Sequence, residues 1–143
     1  MEKNFTVACA ESCTGGLVLS RLTDFAGASA YVKGGVVAYT NEIKNKILHV
    51  EAETLKNFGA VSAQTAEEMA ANVREIFSAT FGLSTTGVAG PASSEGKPVG
   101  LVYAAIVGEN FSEVKEFHFS GSRSEIKDKA AGAAFELLMR HTI

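Results

Sequence analysis

Apolar and polar positions follow two patterns that alternate along the chain. Short apolar runs predict strands near residues 5–9, 35–39, 83–86 and 99–107. Segments with apolar residues at helical spacing predict helices over 14–24, 42–48, 52–58, about 62–77 and from 122 onward. Each of these segments is short enough to be one strand or one helix of a globular domain.

The order of these elements indicates an α/β domain. Helices alternate with strands early in the chain, and Gly108-Glu109-Asn110 predicts a hairpin turn into a fifth strand over 113–119. We therefore predict a three-layer α/β/α domain with a mixed, mostly parallel sheet of about five strands. The run at 99–107 is expected to be a central strand, the strand at 35–39 to be buried on both faces, and the polar segment 92–97 to be mobile.

Residues with capping preferences define the predicted helix ends. Asn41 is expected to cap the second helix, and either Ser62 or Thr65 the fourth. Gly59 is expected to end the third helix. The last helix opens with the capping-box pattern Ser122-Arg123-Ser124-Glu125, which makes Ser122 the cap and Arg123 the first helical residue.

Composition narrows the class of protein. The 143 residues, 46% apolar and 20% charged, are typical of one globular domain over 1–143. A net charge of −3 gives no basic field for nucleic acid. No run predicts a membrane span or a signal peptide, so a cytoplasmic location is expected. Cys9 and Cys13 are expected to be reduced thiols, and no histidine has metal-like spacing, so neither metal nor cofactor is predicted.

The turn after the first strand is the strongest candidate for chemistry. Small polar residues and two glycines, Gly15 and Gly16, separate the strand from a helix start. Such a turn directs free backbone N–H groups and a helix dipole at one point, where a phosphate or an oxyanion is stabilised. Ser12 lies at its mouth, as a nucleophile would. Cys13 is a rival nucleophile, and spacing alone does not decide between them.

Lys44 is a candidate general base. If Asn41 caps the helix, Lys44 lies in its first turn, where the helix dipole lowers the pKa of an amine. Lys44 also falls inside the apolar arc of this helix, and Lys46 falls outside it. A desolvated, neutral lysine can accept a proton from a serine hydroxyl. The alternative is an ordinary lysine whose amine reaches solvent.

Two further segments follow predicted strands, where open α/β sheets place ligands. Thr86 and Gly87 begin a glycine-containing loop that lets the backbone approach a ligand. There Thr86 would donate a hydrogen bond to substrate or orient Lys44, or the loop is an ordinary turn. Arg123 opposes the dipole of its own helix, which an anionic ligand would relieve. The alternative for Arg123 is a surface arginine paired with a carboxylate such as Glu125.

Six blocks in colinear order resemble the CinA C-terminal domain family. They are AESCTGG at 10–16, YTNEIK at 39–44, GAVS at 59–62, TGVAGP at 86–91, KPVG at 97–100 and FSGSR at 119–123. The match covers nearly the whole chain. This family includes stand-alone nicotinamide-nucleotide amidases and the C-terminal half of competence/damage-inducible proteins.

The resemblance implies hydrolysis of the carboxamide of nicotinamide mononucleotide to nicotinate mononucleotide and ammonia, without metal or cofactor. It implies Ser12, rather than Cys13, as the nucleophile and Lys44 as its general base. Tyr39 and Thr86 would assist in catalysis. Substrate-binding residues by the same reasoning are Thr14, Gly15, Gly16, Gly87 and Arg123. The partner is a small-molecule nucleotide substrate, and the alternative function is a non-catalytic nucleotide-binding module.

The start of the chain departs from the family pattern. Family members usually carry a helix before the first strand, whereas only residues 1–4 precede it here. The resemblance therefore leads to the expectation that a homo-oligomer covers the exposed surface, or that the true start lies upstream. The missing N-terminal companion domain favours the stand-alone amidase form.

Overall fold

A computed structural model describes residues 4–142 and shows one mixed sheet between two layers of helices. The strands are β1 (Val7–Glu11), β2 (Val32–Val37), β3 (Phe81–Gly87), β4 (Leu101–Val107) and β5 (Ser112–His118). The helices are α1 (Leu17–Leu22), α2 (Asn41–Lys46), α3 (Ala52–Phe58), α4 (Ala63–Phe77) and α5 (Arg123–Thr142). The predicted three-layer α/β/α class is confirmed. The sequence predicts no helix before the first strand, but residues 1–3 lie outside the part of the chain that the structure describes.

The sheet has the strand order β2-β1-β3-β4-β5. Strand β1 pairs in parallel with both β2 and β3, whereas β4 pairs antiparallel with β3 and β5. Four of the five strands therefore run in one direction, and β4 runs against them. The turn predicted at Gly108 joins β4 to β5, with the Gly108 N–H donating to the Phe111 carbonyl at 3.0 Å.

Alternate residues of β1 serve the two halves of the core. Val7 and Cys9 pack with α1 and α5, and Ala8 and Ala10 pack with α4 and the segment after α2. All five residues of β1 are buried because the strand has a neighbour on each side and helices on both faces. This central placement fixes the position of the turn that follows β1.

The prediction that the second strand is buried on both faces is wrong. Strand β2 begins three residues earlier than predicted, and it lies at the edge of the sheet. None of its residues is fully buried, and Lys33 and Val37 are exposed, Val37 by 45%. An apolar run of glycine and valine does not by itself distinguish an edge strand from an interior one.

The buried carboxylate of Glu11 caps α1 in place of an adjacent side chain. It accepts hydrogen bonds from the N–H groups of Gly16, Val18 and Leu19 at 3.1, 2.9 and 2.9 Å. The Thr14 hydroxyl donates to the same carboxylate at 2.5 Å. The helix dipole also stabilises a negatively charged group at the N-terminus of a helix. Glu11 thus holds the turn in the shape on which Ser12 depends.

We expect Glu11→Ala to lower the free energy of unfolding by about 3 kcal/mol, because it leaves several buried donors without an acceptor. Urea denaturation followed by circular dichroism measures this loss. Glu136→Ala is the matched control, since Glu136 is an exposed residue inside α5, and it should change stability by less than about 0.5 kcal/mol. Equal effects of the two substitutions would contradict the capping role of Glu11.

None of the helices within residues 4–142 is both long enough and apolar enough to span a membrane.

Candidate active site

The predicted site residues converge at one edge of the sheet. Ser12 follows the carboxyl end of β1, Tyr39 lies just beyond β2, and Thr86 lies near the end of β3. Because β5 runs in the same direction, Arg123 at the start of α5 reaches the same edge. The carboxyl ends of parallel strands are where open α/β sheets place ligand sites.

A cavity of about 300 Å³ lies between these residues and contains Ser12, Lys44, Tyr39, Thr86, Gly87 and Arg123 in its lining. Ser12 and Lys44 meet inside it, with Lys44 Nζ 2.9 Å from Ser12 Oγ. A larger groove of about 530 Å³ between β5 and α5 contains none of the predicted site residues. The smaller cavity is therefore the candidate active site.

Lys44 is the most deeply buried charged group at this site. Only 1% of Lys44 and 7% of Ser12 are exposed to solvent. The lysine amine has a second contact, with the Tyr39 carbonyl at 3.3 Å. It reaches this position from a short helix that Thr40 caps, since the Thr40 hydroxyl accepts from the Ile43 N–H at 3.3 Å. The predicted cap, Asn41, is instead the first helical residue.

Burial lowers the pKa of Lys44, because the charged ammonium loses its hydration. The negative charge of Glu95 acts in the opposite direction and limits this decrease. The sequence predicted a lowered pKa from the helix dipole and from the position of Lys44 in the apolar arc of the helix, and the dominant cause in the structure is desolvation. A lysine with a lowered pKa, in contact with a serine hydroxyl, has the arrangement of a general base and its nucleophile.

Cys13 also lines the cavity, but its chemistry differs from that of Ser12. The thiol is 5% exposed, and burial raises its pKa to about 12. A thiol is a good nucleophile only as the thiolate, and a thiol with so high a pKa forms little thiolate at neutral pH. This observation favours Ser12 over Cys13 on physical grounds, where spacing alone left both open.

The side chain of Tyr39 contacts Arg123 rather than Lys44. An Arg123 N–H donates to the Tyr39 hydroxyl at 2.7 Å, and another donates to the Gly90 carbonyl. Within residues 4–142, no carboxylate forms an ion pair with Arg123, and Glu125 instead accepts from the Ser122 N–H at 2.8 Å. The alternative of an Arg123–Glu125 pair is therefore wrong, and the guanidinium faces the cavity without a negative partner.

Thr86 does not orient Lys44. Its hydroxyl donates to the Ala60 carbonyl at 2.7 Å, so its proton is already engaged. Gly87 lines the cavity, and an added Cβ there would lie 2.7 Å from Val102 Cγ2. Close packing against β4 is thus one reason for glycine at this position. Thr86 stabilises the wall of the site, and its oxygen remains available as an acceptor.

The predicted anion site at the start of α1 is already filled by the protein. The N–H groups expected to bind a ligand donate to Glu11 instead, and Thr14 is 1% exposed and bonded to Glu11 and Thr85. Thr14, Gly15 and Gly16 are therefore not among the residues that line the cavity, and their contact with substrate stays a prediction. The physical reason is that the side chain of Glu11, one residue before Ser12, extends to the N-terminus of α1 and accepts these hydrogen bonds itself.

The site also contains Glu95, which the sequence did not predict. Its carboxylate accepts from the Ala60 and Val61 N–H groups at 2.9 and 3.2 Å, and this contact attaches loop 92–97 to the segment before α4. Partial burial acts to raise the pKa of Glu95, but these hydrogen bonds and the charge of Lys97 hold it below its ordinary value. The GAVS and KPVG blocks lie next to these contacts and could have drawn attention to this region. No functional role was assigned to either block from the sequence.

Together these features describe a three-layer α/β domain with a buried serine–lysine pair at the carboxyl edge of its sheet. The model of the family described as "CinA C-terminal domain" matches residues 1–142, and this chain belongs to that family. The resemblance of the sequence blocks is thereby confirmed.

Curated relatives carry competence-related names. A putative competence-damage inducible protein of Desulforamulus reducens is 51% identical over 137 residues, covering 96% of this chain and 33% of that protein. One from Bacillus subtilis is 45% identical over 139 residues, covering 97% of this chain and 33% of that protein. The chain thus spans about a third of the length of the curated relatives it matches.

Solved structures of related proteins have the same fold. A competence/damage inducible protein from Agrobacterium tumefaciens superimposes with a TM-score of 0.92 at 43% identity, covering 96% of this chain and 85% of that one. A CinA superfamily protein from Enterobacter cloacae gives a TM-score of 0.94 at 33% identity, covering 98% and 83%. These matches support the fold and the strand order.

Proposed function

We propose that this domain is an amidase that hydrolyses the carboxamide of nicotinamide mononucleotide, giving nicotinate mononucleotide and ammonia. The observation that carries the proposal is the 2.9 Å contact between Lys44 Nζ and Ser12 Oγ, inside a cavity where burial lowers the pKa of the lysine. The substrate comes from the family resemblance. Loss of the amide in this reaction would recycle a pyridine nucleotide.

In the proposed first step, neutral Lys44 accepts the Ser12 proton as Ser12 Oγ forms a bond to the amide carbon. The tetrahedral intermediate then breaks its C–N bond, and ammonia leaves with the proton that Lys44 carried. Water next attacks the acyl-enzyme ester and gives its proton to Lys44. Breaking the ester bond returns this proton to Ser12 and releases the product as its carboxylic acid, which loses its own proton to the released ammonia or to water.

The oxyanion of the intermediate needs donors that the Glu11 carboxylate does not occupy. The N–H of Cys13 is adjacent to Ser12, and within residues 4–142 it donates to no backbone carbonyl. We assign the oxyanion to this N–H group. One such donor commonly lowers the barrier by about 3–4 kcal/mol.

Arg123 is the proposed phosphate-binding residue. Its guanidinium lies in the cavity without a carboxylate partner, and Tyr39 and Gly90 fix its orientation. A guanidinium held in one plane can form two parallel hydrogen bonds with a phosphate. The role of Tyr39 is accordingly to position Arg123, with its carbonyl contacting Lys44.

The experiment that tests this function is ammonia release from nicotinamide mononucleotide by the purified domain, with nicotinate mononucleotide identified by mass spectrometry. Stoichiometric formation of both products supports the amidase. Tight binding without product would instead favour the non-catalytic nucleotide-binding module. A panel of other pyridine and sugar-linked amides in the same assay tests whether another amide is the better substrate.

We expect Arg123→Ala to raise KM for nicotinamide mononucleotide about 10- to 100-fold with a smaller effect on kcat, because it removes a charge-assisted contact to substrate. Steady-state ammonia release measures both constants. Arg21→Ala is the matched control, since Arg21 pairs with Asp128 away from the cavity. An unchanged KM in Arg123→Ala would remove the proposed binding role.

A further inference from the structure

The charges that line the cavity are of both signs. Lys44 and Arg123 are the basic side chains in its lining, and Glu95 is the one acidic side chain among the described lining residues. A substrate with only an anionic group would need no carboxylate here. The presence of Glu95 therefore needs an explanation of its own.

The Glu95 carboxylate is held in an ionised state at the cavity wall. Two backbone N–H groups, of Ala60 and Val61, donate to its two oxygens at 2.9 and 3.2 Å. Lys97 Nζ is 3.5 Å away and donates to the carbonyls of Phe58 and Val61. Lys97 offsets part of the charge of Glu95 as its ion-pair partner. Each carboxylate oxygen can accept more than one hydrogen bond, so the carboxylate can still interact with a cation in the cavity.

We propose that Glu95 makes the site select amides carried on a cationic ring, which is a specificity-determining role resting on the proposed amidase function. In nicotinamide mononucleotide the pyridinium ring carries a positive charge between the amide and the sugar phosphate. With Arg123 on the phosphate and Ser12 on the amide carbon, the ring would occupy the part of the cavity between them, and Glu95 lines that same cavity. The reduced dihydropyridine nucleotide has the same amide and phosphate, but its ring is neutral.

Lys97 provides a matched control that distinguishes a purely structural role of Glu95 from a role of its charge. Glu95 and Lys97 both attach loop 92–97 to the turn at 58–61, but only Glu95 lines the cavity. If the loop attachment were the whole function, Glu95→Gln and Lys97→Met would change binding of charged and neutral rings alike. If the charge matters, Glu95→Gln removes the preference for the charged ring, whereas Lys97→Met does not.

The experiment measures dissociation constants by titration calorimetry for nicotinamide mononucleotide and its reduced form. All variants carry Ser12→Ala, so that neither ligand is consumed. We expect tighter binding of the oxidised form by about tenfold or more, which corresponds to one charge contact in a partly hydrated site. Glu95→Gln should bring the ratio of the two constants close to one. Lys97→Met should keep the ratio at least as large as in the Ser12→Ala protein, because it leaves the Glu95 carboxylate without its ion-pair partner.

A second measurement needs no change at position 95. Raising salt from about 0.05 M to about 0.5 M should reduce the ratio in the Ser12→Ala protein, because it screens the ring charge from Glu95 while affecting the shared phosphate contact equally for both ligands. A ratio that stays the same in Glu95→Gln, or that salt does not change, overturns the inference. Failure of the proposed function would be recognised separately, as absence of ammonia release from the protein with Ser12 intact.

Discussion

Replacing Ser12 with alanine is expected to lower kcat for ammonia release from nicotinamide mononucleotide about ten thousand-fold or more. The substitution removes the only atom of this side chain that can form the acyl-enzyme. Residual rate would come from binding and the oxyanion donor alone. KM should change little, since most of the binding contacts proposed here lie elsewhere.

The fold must survive for this result to be informative. Ser12 Oγ contacts Lys44 but is not part of the Glu11 network that caps α1. Circular dichroism and the midpoint of thermal unfolding should therefore be close to those of the unmodified protein. Cys13→Ala is the matched control, because its buried thiol has a pKa of about 12 and no proposed chemical role. Loss of activity in Cys13→Ala with activity retained in Ser12→Ala would exchange the two assignments.

Local sequence patterns predicted the bounds of helices and strands better than they predicted where each strand lies in the sheet. Helix α3 was predicted at its observed bounds, and Ser122 and Glu125 form the predicted capping box. The strand at 35–39, by contrast, was expected inside the sheet and lies at its edge. Hydrogen bonding along a helix is local, whereas the position of a strand depends on residues far away in the chain.

The candidate site shows the same division between local and distant effects. Helical spacing identified Lys44 over Lys46, and Lys44 is the buried one. Spacing could not show that Glu11 occupies the N–H groups of the α1 turn, because a glutamate before a turn usually points to solvent. Glu95 was missed for a related reason. A glutamate in a polar loop gives no sign that two backbone N–H groups, more than thirty residues away, bind it.

Replacing Lys44 with arginine or methionine is expected to abolish ammonia release at every accessible pH. Arginine cannot lose its proton under these conditions, and methionine cannot accept one. In the unmodified protein, kcat/KM should rise with pH as Lys44 loses its proton, with a midpoint below the ordinary lysine value of 10.5. The groups facing the amine are Ser12, the neutral thiol of Cys13 and ionised Glu95.

Assay of ammonia release over a range of pH tests this expectation directly. Lys46→Met is the control for the arginine and methionine variants, because Lys46 lies on the same helix and is exposed. It should retain both the rate and the pH profile. A profile that stays flat with pH, or a Lys44→Met protein that still releases ammonia, would show that another group is the base.

The same amine should also make stability depend on pH. Since the folded-state pKa of Lys44 is below its unfolded value of 10.5, the unfolded chain binds more protons between these two values. Stability should therefore rise with pH across that window and be lowest below it, where the buried amine must be charged. Lys44→Met removes this contribution, so its excess stability over the unmodified protein should be largest at low pH and shrink toward pH 10.5. Urea unfolding of both proteins at several pH values measures the difference, and an excess that does not vary with pH would mean that the buried lysine titrates as it does in water.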